Sequence, residues 1–284
     1  MVEILKTRQG LIEIRQSVKS SIGFVPTMGN LHNGHLSLLE RALSENETVF
    51  FSIFVNPKQF GPNEDFSRYP RTLEQDIDKI NSVSEKFPDR KIIIFAPQSE
   101  TEIFPKTETQ MISVVKLSTE LEGKLRPGHF DGVATVVYRL FELVNPTTAY
   151  FGLKDYQQYM VIKQMVKDLN LPVKIQGMPI IREDSGLALS SRNQYLSDEQ
   201  RAGSLILFQT LMELKEILKN KKSELSKVQE KINEKLKDKN WDYLEMRDSD
   251  TFSLDLTNSK NITILAVYKM GTTRLLDNMQ LEVE

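Results

Sequence analysis

Ile22-Gly23-Phe24-Val25-Pro26-Thr27-Met28-Gly29-Asn30-Leu31-His32-Asn33-Gly34-His35-Leu36 runs from a short apolar segment, through a Gly-containing turn, into a stretch where Leu36, Leu39 and Leu43 recur at i, i+3 and i+7. That spacing turns one helical face toward a core, so the reading is strand, loop, helix. Outward from it, residues 49–55 and 91–97 are strand-like runs rich in β-branched and aromatic residues, with a helix expected over 73–83 between them. A second round follows. Val133, Val136, Val137 and Leu140 mark a helix, 148–151 a strand, Ile162, Met165, Val166 and Leu169 a helix, and 173–177 a strand. The alternation predicts an α/β fold over residues 1–178, a doubly wound parallel sheet whose ligands bind beyond the carboxyl ends of its strands.

Beyond Asn193 the texture changes. Leu207, Leu211, Leu214 and Leu218, then Leu225, Val228, Ile232 and Leu236, describe two amphipathic helices separated by a turn at 220–223. Residues 241–246 and 262–268 are strand-like, giving a smaller α+β domain over 179–284.

The chain of 284 residues carries 37 basic and 39 acidic side chains, a net charge of −2, and no cysteine. No global basic field advertises a nucleic-acid partner, and disulfide and thiolate chemistry are excluded. The longest apolar runs fall far short of the ~20 residues a membrane-spanning helix needs, which predicts no membrane partner. Charged residues interrupt positions 1–20, so no secretory leader is expected there and the predicted location is cytoplasmic.

Chemistry concentrates in the first turn. Two of the chain's three histidines, His32 and His35, stand there. Glycines such as Gly29 and Gly34 let backbone approach a ligand, a helix N-terminus offers free N–H groups, and imidazoles can donate to phosphate oxygens. A second constellation, Ser190-Ser191-Arg192-Asn193, offers hydroxyls and a guanidinium fork suited to phosphate. Two further segments, 56–62 and 151–158, directly follow predicted strands, where such folds carry ligand contacts.

His32-Asn33-Gly34-His35 is an H-x-G-H pattern and resembles that of the nucleotidyltransferase superfamily, which includes class I aminoacyl-tRNA synthetases. Residues 28–35, 56–62, Tyr69-Pro70-Arg71-Thr72, 126–132, 152–158, 187–193 and Arg274-Leu275-Leu276-Asp277-Asn278, taken in order, resemble the motifs of the pantoate–β-alanine ligase (pantothenate synthetase) family. Leu153 departs from the polar residue the family commonly carries there. The resemblance implies a Rossmann-like first domain binding ATP and pantoate, a second domain closing over the active site, and a homodimer. It implies ATP, Mg²⁺, pantoate and β-alanine as the reacting set, with the metal bound through ATP phosphates.

By the same resemblance, His32, His35, Lys154, Ser190, Ser191 and Arg192 are the catalytic candidates. ATP would lie along Pro26, Met28, Gly29, Asn30, Leu31, His32, Asn33, Gly34 and His35. It would continue along Gly152, Leu153, Lys154, Asp155, Ile181, Leu189, Ser190, Ser191 and Arg192. Gln59 and Gln158 would hold the acid, while Arg126 and His129 could lie near β-alanine or pyrophosphate or be structural. The implied reaction condenses pantoate with β-alanine through a pantoyl-adenylate, releasing AMP and pyrophosphate. The rival classes are a nucleotidyltransferase that keeps the nucleotide in its product, a non-catalytic ATP-binding module, and an RNA-binding relative of the synthetases.

Overall fold

The computed structural model describes residues 2–62, 64–105, 110–219 and 221–284. These fall into two compact units, one of residues 1–153 with 157–179 and one of residues 154–156 with 180–284.

In the first unit, strands β1 (Val2–Leu5), β2 (Ile22–Thr27), β3 (Thr48–Ile53), β4 (Lys91–Phe95), β5 (Thr148–Gly152) and β6 (Lys174–Met178) form one sheet in the order β1-β4-β3-β2-β5-β6. Every pairing is parallel. Helix α1 (Arg8–Ser17) leads from β1 to β2. From β2 the chain winds outward through β3 to β4, then returns to place β5 on the other side of β2. The strand order therefore reverses between β2 and β5, the position at which open α/β sheets leave a crevice for ligands.

Phe24 and Val25 are both fully buried because adjacent strand residues face opposite layers. Val25 joins a core with Val49, Phe51, Ile92 and Ile94, closed by Leu38, Leu39, Ala42 and Leu43 of α2 (Asn33–Glu45) and Ile80 and Val83 of α3 (Leu73–Ser84). Phe24 points the other way, onto Phe141 of the helix His129–Val144, with ring centroids 6.1 Å apart. Helices thus cover both faces, as a doubly wound sheet requires.

That helix, called α4 here, presses on the turn Pro57–Gln59 after β3. Gly132 permits the approach: a Cβ at this position would lie 2.2 Å from the Lys58 carbonyl oxygen. Asn56 Nδ2 seals the junction by donating to the Gly132 carbonyl at 3.1 Å.

The second unit holds the antiparallel strands β7 (Trp241–Asp248), β8 (Asn261–Met270) and β9 (Thr273–Glu282) in sequence order. Helices α6 (Leu205–Leu218) and α7 (Leu225–Lys235) cover the sheet, α5 being Tyr156–Asp168. Leu207, Leu211, Leu214 and Leu218 pack with Val228, Ile232, Ile262 and Ile264. The turn expected at 220–223 includes Asn220, which lies outside the described residues. Residues 154–156 join this unit because Tyr156 Oη donates to the Ser249 carbonyl at 2.5 Å, and its ring stacks on Phe252. No helix among the described residues is long and apolar enough to cross a membrane.

Gly132→Ala should therefore destabilise the protein by about 2 kcal/mol, because backbone rather than a yielding side chain stands in the way. A thermal melt should read this as a fall in Tm of roughly 4–8 °C. Gly152→Ala, where a Cβ meets nothing within 4 Å, is the control and should melt like the parent.

Candidate active site

The turn after β2 bends through Gly29 (φ 80°) and Asn30 (φ 50°), both in the left-handed region. Successive residues bent this way aim their N–H groups inward, and an anion is needed to receive them. Asp76 of α3 supplies it. Fully buried, it accepts from Asn30 N at 2.9 Å, Leu31 N at 2.8 Å and the Thr72 hydroxyl at 3.1 Å. Thr27 Oγ1 donates to the Ser52 carbonyl and accepts from Gly29 N, and Lys79 Nζ donates to the Leu31 carbonyl at 2.7 Å.

His32 then caps α2. Its Nδ1 accepts from Gly34 N at 3.2 Å, and His35 Nδ1 accepts from His32 N at 3.3 Å, so the two imidazoles form a reciprocal capping box. Their ring centroids are 4.1 Å apart. A neutral imidazole that accepts at Nδ1 carries its proton on Nε2, so both rings are set as Nε2–H donors. Of the N–H groups expected to be free at this helix N-terminus, those of His32, Gly34 and His35 are taken within the turn. The imidazoles add two oriented donors at the same helix end. Gly34 is required beneath them, since a Cβ there would sit 2.9 Å from the His32 ring.

Gln59 is buried beside this turn. Its Oε1 accepts from Asn56 Nδ2 at 3.1 Å, while its Nε2 reaches only the sulfur of Met28, also at 3.1 Å. A thioether is a weak acceptor, so this buried amide donor would gain by exchanging it for a hydroxyl. The Gln59 carbonyl accepts from His129 Nδ1 at 2.8 Å, whose Nε2 in turn accepts from Arg126. Arg126 completes a fork onto Glu64 at 2.8 and 2.5 Å. Burial, and then the adjacent guanidinium, press the His129 pKa from 6.5 down to about 4. Burial pushes the Glu64 carboxyl up, yet Arg126 outweighs it and leaves the carboxyl below its usual range. Arg126 and His129, whose roles the sequence leaves open, therefore brace the Gln59 backbone. Gln158 is half-buried on α5. Its neighbour Gln157 is a fastener: buried, it accepts from Glu122 N and donates to the Leu117 and Glu120 carbonyls.

Leu153 lies against Gly177 of β6, where a Cβ would come within 2.7 Å of the leucine. An apolar side chain at this position is thus accounted for by packing. Gly152, immediately before it, ends β5.

In the second unit Lys154 Nζ stands 3.7 Å from Asp155 Oδ1, a half-exposed pairing that binds weakly and can yield to a phosphate. Ile181 and Leu189 face each other across a hairpin, with Leu189 N donating to the Ile181 carbonyl at 3.0 Å. The chain leaves this hairpin at Ser190, whose hydroxyl accepts from Arg192 N at 3.3 Å and caps the short helix Ser191–Tyr195. Ser190, Ser191 and Arg192 are half-buried.

Sequence reasoning passed over Asp76 and Glu64, and read Asn56 only as part of the segment 56–62. Asp76 left a trace: it interrupts the apolar stripe of Leu73, Ile80 and Val83, where a lone carboxylate calls for a partner. Glu64 left none, since its partner Arg126 lies far along the chain.

The profile of the family described as Pantoate-beta-alanine ligase matches residues 2–280. The chain is 45% identical over 288 residues to the pantothenate synthetase of Caldicellulosiruptor bescii, covering 99% of each. It is 44% identical to that of Acetivibrio thermocellus, covering 100% of this chain and 99% of the relative. Among solved structures, a pantothenate synthetase from Thermus thermophilus superposes with a TM-score of 0.86 at 40% identity, over 98% of this chain and 99% of that one. The Francisella tularensis pantoate-beta-alanine ligase, solved with beta-gamma ATP and beta-alanine, gives a TM-score of 0.76 at 35% identity, over 98% and 97%.

The His129 pKa makes a signed prediction. A histidine held at about 4 when folded, against 6.5 when unfolded, contributes stability that is complete above pH 6.5 and is lost as pH falls toward 4. The contribution is at most about 3 kcal/mol. Urea unfolding at pH 7.5 and pH 5.0 should show this loss in the parent and a smaller one in His129→Gln; an equal loss in both would refute it.

Proposed function

The chain belongs to the pantoate–β-alanine ligase family, and from that premise we propose how its own residues carry the reaction. The protein is a ligase that uses ATP to join pantoate to β-alanine through an amide bond, giving pantothenate. In the first step proposed, the pantoate carboxylate attacks the α-phosphorus of ATP, pyrophosphate departs and pantoyl-adenylate stays bound. The β-alanine amine then attacks the adenylate carbonyl and AMP leaves, with no covalent enzyme intermediate.

The first step brings an anion to a polyanion, so its barrier is mainly one of charge and alignment. The observation that carries the reading is the capping box: with both Nδ1 atoms filled by backbone, His32 and His35 can meet phosphate oxygens through Nε2–H. Lys154, Ser190, Ser191 and Arg192 add a cation, two hydroxyls and a guanidinium fork for the same triphosphate. The remainder of the ATP contacts is proposed at Pro26 and Met28–His35 and at Gly152–Asp155, Ile181 and Leu189. Mg²⁺ chelated by the phosphates would neutralise further charge.

Gln59 and Gln158 are proposed to hold pantoate. Amides both donate and accept, matching an acid that bears hydroxyls, and their neutrality leaves the carboxylate free to attack. A homodimer in the cytoplasm belongs to the same proposal, supported by the family resemblance and the cysteine-free composition.

Two outcomes are expected. Pantoate without β-alanine should support exchange of isotope between pyrophosphate and ATP, because adenylation reverses while the anhydride stays bound; exchange that requires β-alanine would sink the two-step scheme. His35→Ala should slow single-turnover formation of pantoyl-adenylate by on the order of a hundredfold with little change in ATP affinity. His35→Gln keeps an N3 residue suited to the capping box, so it should melt like the parent yet remain at least about tenfold slow. Parent-like adenylation in His35→Gln would reduce His35 to a helix cap.

A further inference from the structure

Two of the proposed phosphate ligands, Lys154 and the Ser190–Arg192 segment, stand on different stretches of the second unit, and two buried polar side chains with a half-buried arginine tie those stretches together. Asn278 of β9 is 2% exposed and donates from Nδ2 to the backbone carbonyl of Lys154 at 2.8 Å. Its backbone N donates to Asp277 Oδ1 at 2.7 Å. Asp277, also 2% exposed, receives Arg182 in a two-pronged pair at 2.6 and 2.9 Å. Arg182 is the first arm of the hairpin that delivers Ser190: its NH1 also donates to the Gly186 carbonyl at 3.0 Å, and its backbone bridges to Ala188. Phe208 lies under the guanidinium at 4.6 Å, and it would collide with any Cβ at Gly186, where φ is +95°. Asn193 Nδ2 fastens the far side of the loop to the Ala188 carbonyl at 3.0 Å.

We propose that Arg182, Asp277 and Asn278 are positioning residues for adenylation, which hold the Lys154 backbone at a set distance from the loop carrying Ser190, Ser191 and Arg192. The physical case is one of cost. Burying a carboxylate and an amide in a three-stranded sheet is expensive unless every polar atom is met, and an apolar pair would fill β9 as well. What an apolar pair could not do is join a backbone carbonyl beside a phosphate-binding ammonium to a hairpin end beside a guanidinium. A bidentate Arg–carboxylate pair has a fixed geometry, so the spacing is transmitted with little play. Catalysis by charge stabilisation needs that rigidity, because donors must already stand where charge will develop.

The inference rests on Lys154 acting on ATP, and the test separates failure of that premise from failure of the network. The pantoate-dependent exchange of pyrophosphate with ATP is measured for full-length parent, Asn278→Ser, Lys154→Ala and the double variant, each with a thermal melt. Lys154→Ala should slow exchange by on the order of a hundredfold. Asn278→Ser should lower the maximal rate about tenfold while changing the KM for ATP less than about twofold, and should add nothing in the Lys154→Ala background. A repeat of the tenfold loss in that background, or a parent-like rate for Asn278→Ser, would overturn the network. A parent-like rate for Lys154→Ala would overturn both the network and the premise. If Asn278→Ser does not fold, Arg182→Lys takes its place in the same cycle, since it keeps the charge and loses the two-pronged geometry.

Discussion

The site of the first unit depends on one buried carboxylate. Asp76 receives the N–H groups of Asn30 and Leu31 at the only stretch where two consecutive residues among those described take positive φ. Left-handed backbone costs about 1–2 kcal/mol at a residue other than glycine, and an unpaired buried N–H costs as much again. Without the carboxylate neither would be offset. Because Asp76 already occupies this anion-binding bend, a phosphate cannot use the same N–H groups. Under the proposed reading, recognition is displaced one step along the chain, to His32 and His35.

That displacement explains why histidine, rather than serine or aspartate, caps α2. A Ser or Asp side chain would fill the same backbone donor but end there. An imidazole has a second nitrogen, and accepting at Nδ1 commits the proton to Nε2. One residue thus closes a helix and presents an oriented donor. The backbone N–H groups of Gly34 and His32 thus fix the tautomers of His32 and His35 respectively.

Periodic apolar residues made most of the fold legible: the strands after residues 22, 48, 91, 148 and 174 and the leucine helices of the second unit lie where their patterns place them. The elements that escaped are those whose pattern is broken. Strand β1 is four residues long, and helix α1 buries only Leu11. In β9 the alternation is interrupted by Asp277 and Asn278, so Arg274-Leu275-Leu276-Asp277-Asn278 is readable as a motif but not as a strand. The candidate site divides the same way. Side chains that would touch ligand cluster in short turns and can be picked out by type. Those that hold them, such as Asp76, Glu64, Asp277 and Asn278, act across long sequence separations, so nothing local names their partners.

The polar residues around Gln59 show why neutrality has to be built. Arg126 stands close to a buried amide proposed to hold a carboxylate substrate, and a bare guanidinium there would bind the acid through the very oxygens that must attack. Glu64 takes both prongs of that guanidinium, and His129 takes a third N–H. Burial and Arg126 keep His129 uncharged well below neutral pH, so it cannot restore the positive charge that Glu64 removes. The group as a whole carries no net positive charge, while its last member fixes the Gln59 backbone carbonyl. If Gln59 holds the acid as proposed, attraction there is left to hydrogen bonds of about 0.5–1.5 kcal/mol each, strong enough together to orient a carboxylate and weak enough to release it to phosphorus.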